Sequence, residues 1–233
     1  MARILCLTLA AFINTESIQI ETMLSPLSPF YAAHCLHCRL PVSCCVCKAL
    51  EHSALPFNIM ICSHSKEWQK MDNTAHWAWL SSDSIHRLKW HRQVQRINSS
   101  LPLNSQPINA ELLEDISHLP GHYLLFPSED ALDIDQYVQN IEQLWVVDGT
   151  WQEAEKMLRQ SPWLDRIPKI KIPANHPALL AQSQFQLRRN QRGLSTIEAI
   201  AAALDVYLVN KDPAELLLRN FSRFQSTLLR LKK

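Results

Sequence analysis

Leu144-Trp145-Val146-Val147-Asp148-Gly149-Thr150-Trp151-Gln152-Glu153 is the stretch on which the fold turns. Its first four residues are apolar and partly β-branched, the pattern of an interior strand. Thr150 and Glu153 have capping-box spacing, which predicts a helix from Trp151. A strand that passes straight into a helix leaves Asp148 at the strand's carboxyl end, beside the free N–H groups of the first helical turn. Open α/β sheets bind their ligands at that edge. The chain has only three glycines, Gly121, Gly149 and Gly193. Gly149 is therefore read as a point where a Cβ would block the backbone or a close ligand. Taken alone, Asp148 to Trp151 fit an ordinary strand-to-helix turn with a solvated Asp equally well.

Working outward, strands are expected at 55–62, 122–126 (stopped by Pro127) and 169–172. Helices are expected at 66–80, at 110–118 behind Asn109, around 133–142, and at 151–160 ahead of Pro162. A second capping box, Ser195 with Glu198, predicts an Ala- and Leu-rich buried helix to about 210, and Pro213 opens a last helix over 214–231. Strands alternating with helices specify an α/β fold, a mostly parallel sheet with helices on both faces.

The chain has 233 residues, 47% of them hydrophobic, enough for one sizeable core. The net charge of +1 conceals a segregation: 111–155 holds eleven Asp/Glu and no Lys or Arg, leaving 23 basic residues against 11 acidic ones elsewhere. Basic stretches run over 86–96, 166–192 and 219–233. Such local excess is the footprint of a phosphate-binding surface, although solvated helix faces give similar runs. No apolar run reaches the roughly 18 residues that span a bilayer, so no membrane partner is expected. Arg3 precedes the apolar run 4–13, which looks like a signal-peptide core but lacks a small-residue cleavage site. Residues 1–30 are read as a variable or disordered extension, with a signal peptide as the other reading.

Five of the seven cysteines fall within thirteen residues, as Cys35-x2-Cys38-x6-Cys45-x-Cys47 with Cys44 beside Cys45. Four thiolates in one compact loop suit tetrahedral structural zinc. His34 and His37 are possible substitutes, and free thiols packed as small hydrophobes are the plain alternative. The cluster points to a reducing, cytoplasmic setting. The expected organisation is an extension (1–30), a cysteine-rich zinc knuckle (31–54) and a main α/β domain (55–233).

The run from Val147 to Arg159, with its Asp148-x-Thr150-Trp151 core, resembles the signature of the DTW-domain family. Other marks of that family follow in order: the cysteine pairs around Pro41, Asn73-Thr74 after a His64/Glu67 segment, Leu125-Phe126-Pro127, and Gly193-Leu194-Ser195-Thr196-Ile197-Glu198-Ala199. The likeness runs from about Cys35 to about Leu208.

This resemblance implies a SPOUT-like domain whose carboxy-terminal part threads a trefoil knot. It implies transfer of the 3-amino-3-carboxypropyl group of S-adenosylmethionine (SAM) to N3 of a uridine in tRNA. It also selects Cys35, Cys38, Cys45 and Cys47 as metal ligands. Asp148 would be the base or hold the donor's amino group, with Thr150 and Trp151 beside it. Leu125, Phe126, Pro127, Gly149, Gly193, Leu194, Ser195 and Thr196 would line the SAM pocket. Asn73 and Thr74 would orient substrate, while Lys156, Arg159, Arg188 and Arg189 would meet tRNA phosphates. The rival readings are a SAM-dependent RNA methyltransferase of the same knotted class and a non-enzymatic zinc-knuckle RNA-binding protein.

Overall fold

The computed structural model describes residues 33–90, 119–137, 140–181, 183, 185 and 193–231. Within them one sheet is formed by β1 (Asn58–Ser63), β2 (Ile85–Lys89), β3 (His122–Leu125), β4 (Leu132–Asp133), β5 (Gln143–Asp148) and β6 (Lys169–Lys171). Every pairing is parallel, in the order β2-β1-β5-β3-β6-β4. The helices are α1 (Thr74–Trp79), α2 (Ile134–Tyr137), α3 (Trp151–Arg159), α4 (Pro162–Asp165), α5 (Pro177–Leu180), α6 (Thr196–Tyr207) and α7 (Asp212–Leu231).

Both capping boxes form as the spacing predicts, at Thr150/Glu153 and Ser195/Glu198. Strand alternation then sorts the core into two layers. Ile59, Ile61, Leu144 and Val146 face a cluster containing Trp77 of α1, Ile197, Ile200 and Leu204 of α6, and Phe221 and Phe224 of α7. Met60, Cys62, Leu124 and Trp145 face Met157 and Leu158 of α3 and Trp163 and Leu164 of α4. The helices thus cover both faces. Trp77 stacks on Phe224 with ring centres 4.9 Å apart, and truncating such a ring to Ala costs about 3–5 kcal/mol. Cys38 and Leu40 belong to the first layer, so the cysteine loop is anchored in the sheet's own core. The chain beyond it is clipped to α7, where Asn220 Nδ2 donates to the Glu51 carbonyl at 2.8 Å and Arg223 pairs with the Glu51 carboxylate at 2.6 Å.

Three expectations need correction. The helix expected from 66 begins only at Thr74, because Asn73 caps it: its side chain accepts from the His76 N–H. The helix expected over 133–142 is the single turn α2; residues 140–142 lead into β5 instead. Pro162 does not simply end α3 but starts α4, where its missing N–H costs nothing. Strand β2 was not anticipated, since Ile85-His86-Arg87-Leu88-Lys89 reads as a basic surface run. It is an edge strand, Ile59 to Ser63 of β1 pairing with Ile85 to Lys89. The helix expected at 110–118 and the extension 1–30 lie outside the described residues. The expected knot is a property of a chain path that includes 182, 184 and 186–192, also outside them. No helix among the described residues is long and apolar enough to cross a membrane.

Candidate functional site

Asp148 closes β5, and its neighbour across the sheet is Ser63, the last residue of β1. The chain reverses there into α3, and Gly149 permits it: a Cβ at that position would come within 3.1 Å of Glu153 Cβ. Only 4% of Asp148 is exposed. An isolated carboxylate at that depth would be costly, but this one is held at both oxygens. Asn73 Nδ2 donates to Oδ2 at 2.9 Å and Thr196 Oγ1 donates to Oδ1 at 2.8 Å. Burial pushes the Asp148 carboxyl up from its ordinary value. The hydrogen bonds from Asn73 and Thr196, the Arg87 charge and the Ser63 hydroxyl pull the other way.

A cavity of about 660 Å³ opens beside this carboxylate, within the size range of small-molecule sites. Leu125, Phe126 and Pro127, at the end of β3, form one wall; Gly149, Thr150 and Trp151 form a second; Gly193, Leu194 and Thr196 form a third. Gly193 has φ +96°, a left-handed conformation that glycine adopts without strain. Trp151 is 54% exposed and its ring stacks on Phe126 at 5.1 Å. That excludes a core tryptophan and makes an aromatic shelf at the cavity. A smaller polar recess of about 50 Å³ adjoins, lined by Asp148, Asn73, Thr74, Glu67 and Ser195. The two share Gly149, Leu194 and Thr196.

The sequence-predicted pocket residues are therefore brought together, Ser195 on the recess side. Lys156 and Arg159 stand exposed on α3 and do not line the cavity. Arg188 and Arg189 lie outside the described residues. His64 donates its backbone N–H to the Asp148 carbonyl at 2.8 Å, and its ring lies 3.5 Å from Glu153. Sequence reasoning missed three residues. Lys171, at the end of β6, adds a cation to the cavity wall. The half-buried Arg87 and the buried His76 form a polar cluster behind Asn73. An Arg and a His amid apolar neighbours, at 85–88 and 75–78, were the only trace of them in the sequence.

In the cysteine loop, which meets α1 at His76, the Sγ atoms of Cys35, Cys38, Cys45 and Cys47 lie within 4.8 Å of one another. The Cys35–Cys47 and Cys38–Cys45 separations are 3.7 and 3.8 Å. Tetrahedral zinc with metal–sulfur bonds of about 2.3 Å requires sulfurs roughly 3.8 Å apart. The four thiols could therefore hold zinc with little rearrangement. Cys44 turns away, its Sγ 3.8 Å from Ser43 Oγ.

A family described as the DTW domain matches residues 32–229, and the chain belongs to that family. The chain is similar to the tRNA-uridine aminocarboxypropyltransferase 2 of Drosophila melanogaster, 28% identical over 178 residues. That alignment spans 74% of this chain and 65% of the fly protein. No solved structure matches the chain.

Proposed function

We propose that the chain modifies tRNA by transferring the 3-amino-3-carboxypropyl group of SAM to N3 of a uridine. The observation that carries this reading is a strand-end carboxylate, fixed at both oxygens, beside a cavity built from the family's motif residues. The activity named for the fly relative supplies the class of reaction.

The cavity suits an adenosyl ligand with a zwitterionic tail. It offers an aromatic shelf at Trp151 and Phe126, a cation at Lys171, and a carboxylate-lined recess alongside. When bound, SAM supplies an alkyl group already activated by its sulfonium, leaving orientation and proton removal to the protein. Asp148 accepts the uridine N3 proton or holds the donor's ammonium, and either task needs the ionised form. Lys171 faces the donor carboxylate. Asn73 holds Asp148 in place, and Thr74 borders the same recess. Lys156, Arg159, Arg188 and Arg189 contact tRNA phosphates. The four thiols hold one structural zinc, as suits a cytoplasmic enzyme.

The test is incubation of the purified protein with unmodified tRNA and SAM, followed by mass spectrometry of the nucleosides. Aminocarboxypropyl-uridine is the expected product. A methylated base would assign the methyltransferase chemistry instead. No SAM binding, with tRNA still bound, would leave an RNA-binding protein.

A further inference from the structure

Between the cysteine loop and Asp148 runs an unbroken series of hydrogen bonds. The His76 ring lies 2.5 Å from the carbonyl of His37, which sits between Cys35 and Cys38. Its other nitrogen, Nδ1, is 3.1 Å from Arg87 Nη1. A guanidinium can only donate, so His76 Nδ1 accepts, and the ring proton resides on Nε2, donating to the carbonyl. The ring is thus neutral, with one tautomer dictated by its two partners. Arg87 Nη2 in turn donates to Asn73 Oδ1 at 3.2 Å and to Ser63 Oγ at 3.1 Å. Asn73 Oδ1 also accepts the His76 backbone N–H at 2.7 Å. With its oxygen committed to these donors, the Asn73 amide must present its NH₂ to Asp148. The guanidinium itself is fixed over the Trp68 ring at 4.3 Å, and the Trp68 carbonyl accepts from Arg39 of the cysteine loop at 2.5 Å.

We propose that Arg87 is a positioning residue for Asp148, and that His76 ties it to the four-cysteine knuckle, so that an intact knuckle holds the carboxylate in its working state. Three bonds separate the knuckle backbone from Asn73, and the donor and acceptor roles along them are fixed by the His76 tautomer and the Asn73 amide orientation. Arg87 is the cation behind the carboxylate: burial draws its pKa down to about 10, against the attraction of Asp148, and leaves it protonated at neutral pH. The groups facing His76 are Arg39, Arg87 and His37. Arg87, Asn73, Thr196 and Ser63 act on Asp148, and the Cys62 thiol beneath it and the Glu67 carboxylate across the recess also face it. The functional meaning of this device rests on the reading of Asp148 as the working carboxylate.

The test is carbon-13 NMR of aspartate-labelled, zinc-loaded protein, with the Asp148 resonance identified by its loss in Asp148→Asn. It needs no substrate, so a failure of the transferase reading leaves it intact. Arg87→Met is expected to raise the Asp148 titration midpoint by about one unit or more, the size of effect of a neighbouring opposite charge. Arg87→Lys, which keeps the charge and loses the fork, should shift it less. Stripping zinc from the native sequence with a chelator should move the midpoint the same way, and in His76→Ala the chelator should no longer move it. If Arg87→Met does not fold, Arg87→Lys and the chelator arm decide. An unmoved midpoint in a folded Arg87 variant overturns the positioning role. A chelator effect undiminished in His76→Ala overturns the tie to the knuckle.

Discussion

The Thr196 hydroxyl donates to Asp148 Oδ1 at 2.8 Å across 48 residues of sequence. It joins the start of α6 to the end of β5, while Asn73, the N-cap of α1, holds the other oxygen from 75 residues away. One carboxylate therefore pins two helix starts to one strand end. On the proposed function the same two atoms would combine structural and chemical roles, and substitutions must be chosen to separate them.

Asp148→Asn separates them. An amide can accept from Asn73 at its oxygen and present its NH₂ to the Thr196 hydroxyl, which accepts equally well. Folding should survive while the base is gone, lowering turnover about 10²- to 10⁴-fold. Asp148→Ala instead strands the buried Asn73 amide donor, at about 1–3 kcal/mol, and also frees the half-buried Thr196 hydroxyl at the cavity. Turnover and thermal melts of both variants check this; near-normal turnover in Asp148→Asn would reject the assigned chemistry.

Trp151→Ala tests the aromatic shelf. The ring is more than half exposed, so melting behaviour should hardly change. A stacked aromatic contributes about 0.5–1.5 kcal/mol beyond its buried area, so SAM affinity should fall up to about tenfold. Calorimetric titration with SAM measures it, and unaltered affinity would remove Trp151 from the donor site.

The sequence carried much of this site because local rules produced it. The 144–153 stretch obeyed strand and capping chemistry, so β5, α3 and the placement of Asp148 could be read directly. The Ser195/Glu198 capping box and the clustering of the thiols were legible through spacing, whereas the pocket role of 193–196 and the choice of Cys45 over Cys44 came from the family resemblance. Arg87 and His76 were not legible. Their importance comes from β2 pairing with β1 and from α1 lying over the knuckle, contacts between segments with no shared local signal. The short start of α1 was likewise decided at a distance: Asn73 caps the helix while its NH₂ is held by Asp148.

His76 should make stability depend on pH. Burial, with the charges of Arg39 and Arg87, lowers its pKa from 6.5 to about 3, against the opposing hydrogen bond to His37. Between those values the unfolded chain binds a proton that the folded chain refuses. Stability should therefore fall as pH falls from about 6.5, by up to about 1.4 kcal/mol per unit from this group. Asp148 acts in the opposite sense: its raised pKa lets the folded state take up a proton more readily, a gain as pH falls toward the ordinary carboxylate range. Urea unfolding at pH 7, 6 and 5 should show a flatter profile for His76→Gln than for the native sequence. Parallel profiles would refute the buried neutral histidine.

The thiol cluster makes the last prediction. Sulfur separations of 3.7 and 3.8 Å match a tetrahedral ion, and four thiolates leave no open position for catalysis. Purified protein should carry about one zinc per chain, measured by elemental analysis. Because Cys38 and Leu40 are part of the core beneath the sheet, losing the ion should loosen more than the loop itself. Cys35→Ser or Cys47→Ser should thus lower the melting temperature and solubility clearly, whereas Cys44→Ser, whose sulfur faces Ser43, should not. A chelator should reproduce the effect in the native sequence and add little in Cys35→Ser. Metal-free protein that melts like the zinc-loaded form would show that these four cysteines are packing groups, and the knuckle would then owe its shape to the buried Cys38 and Leu40 and to its hydrogen bonds with His76 and Trp68.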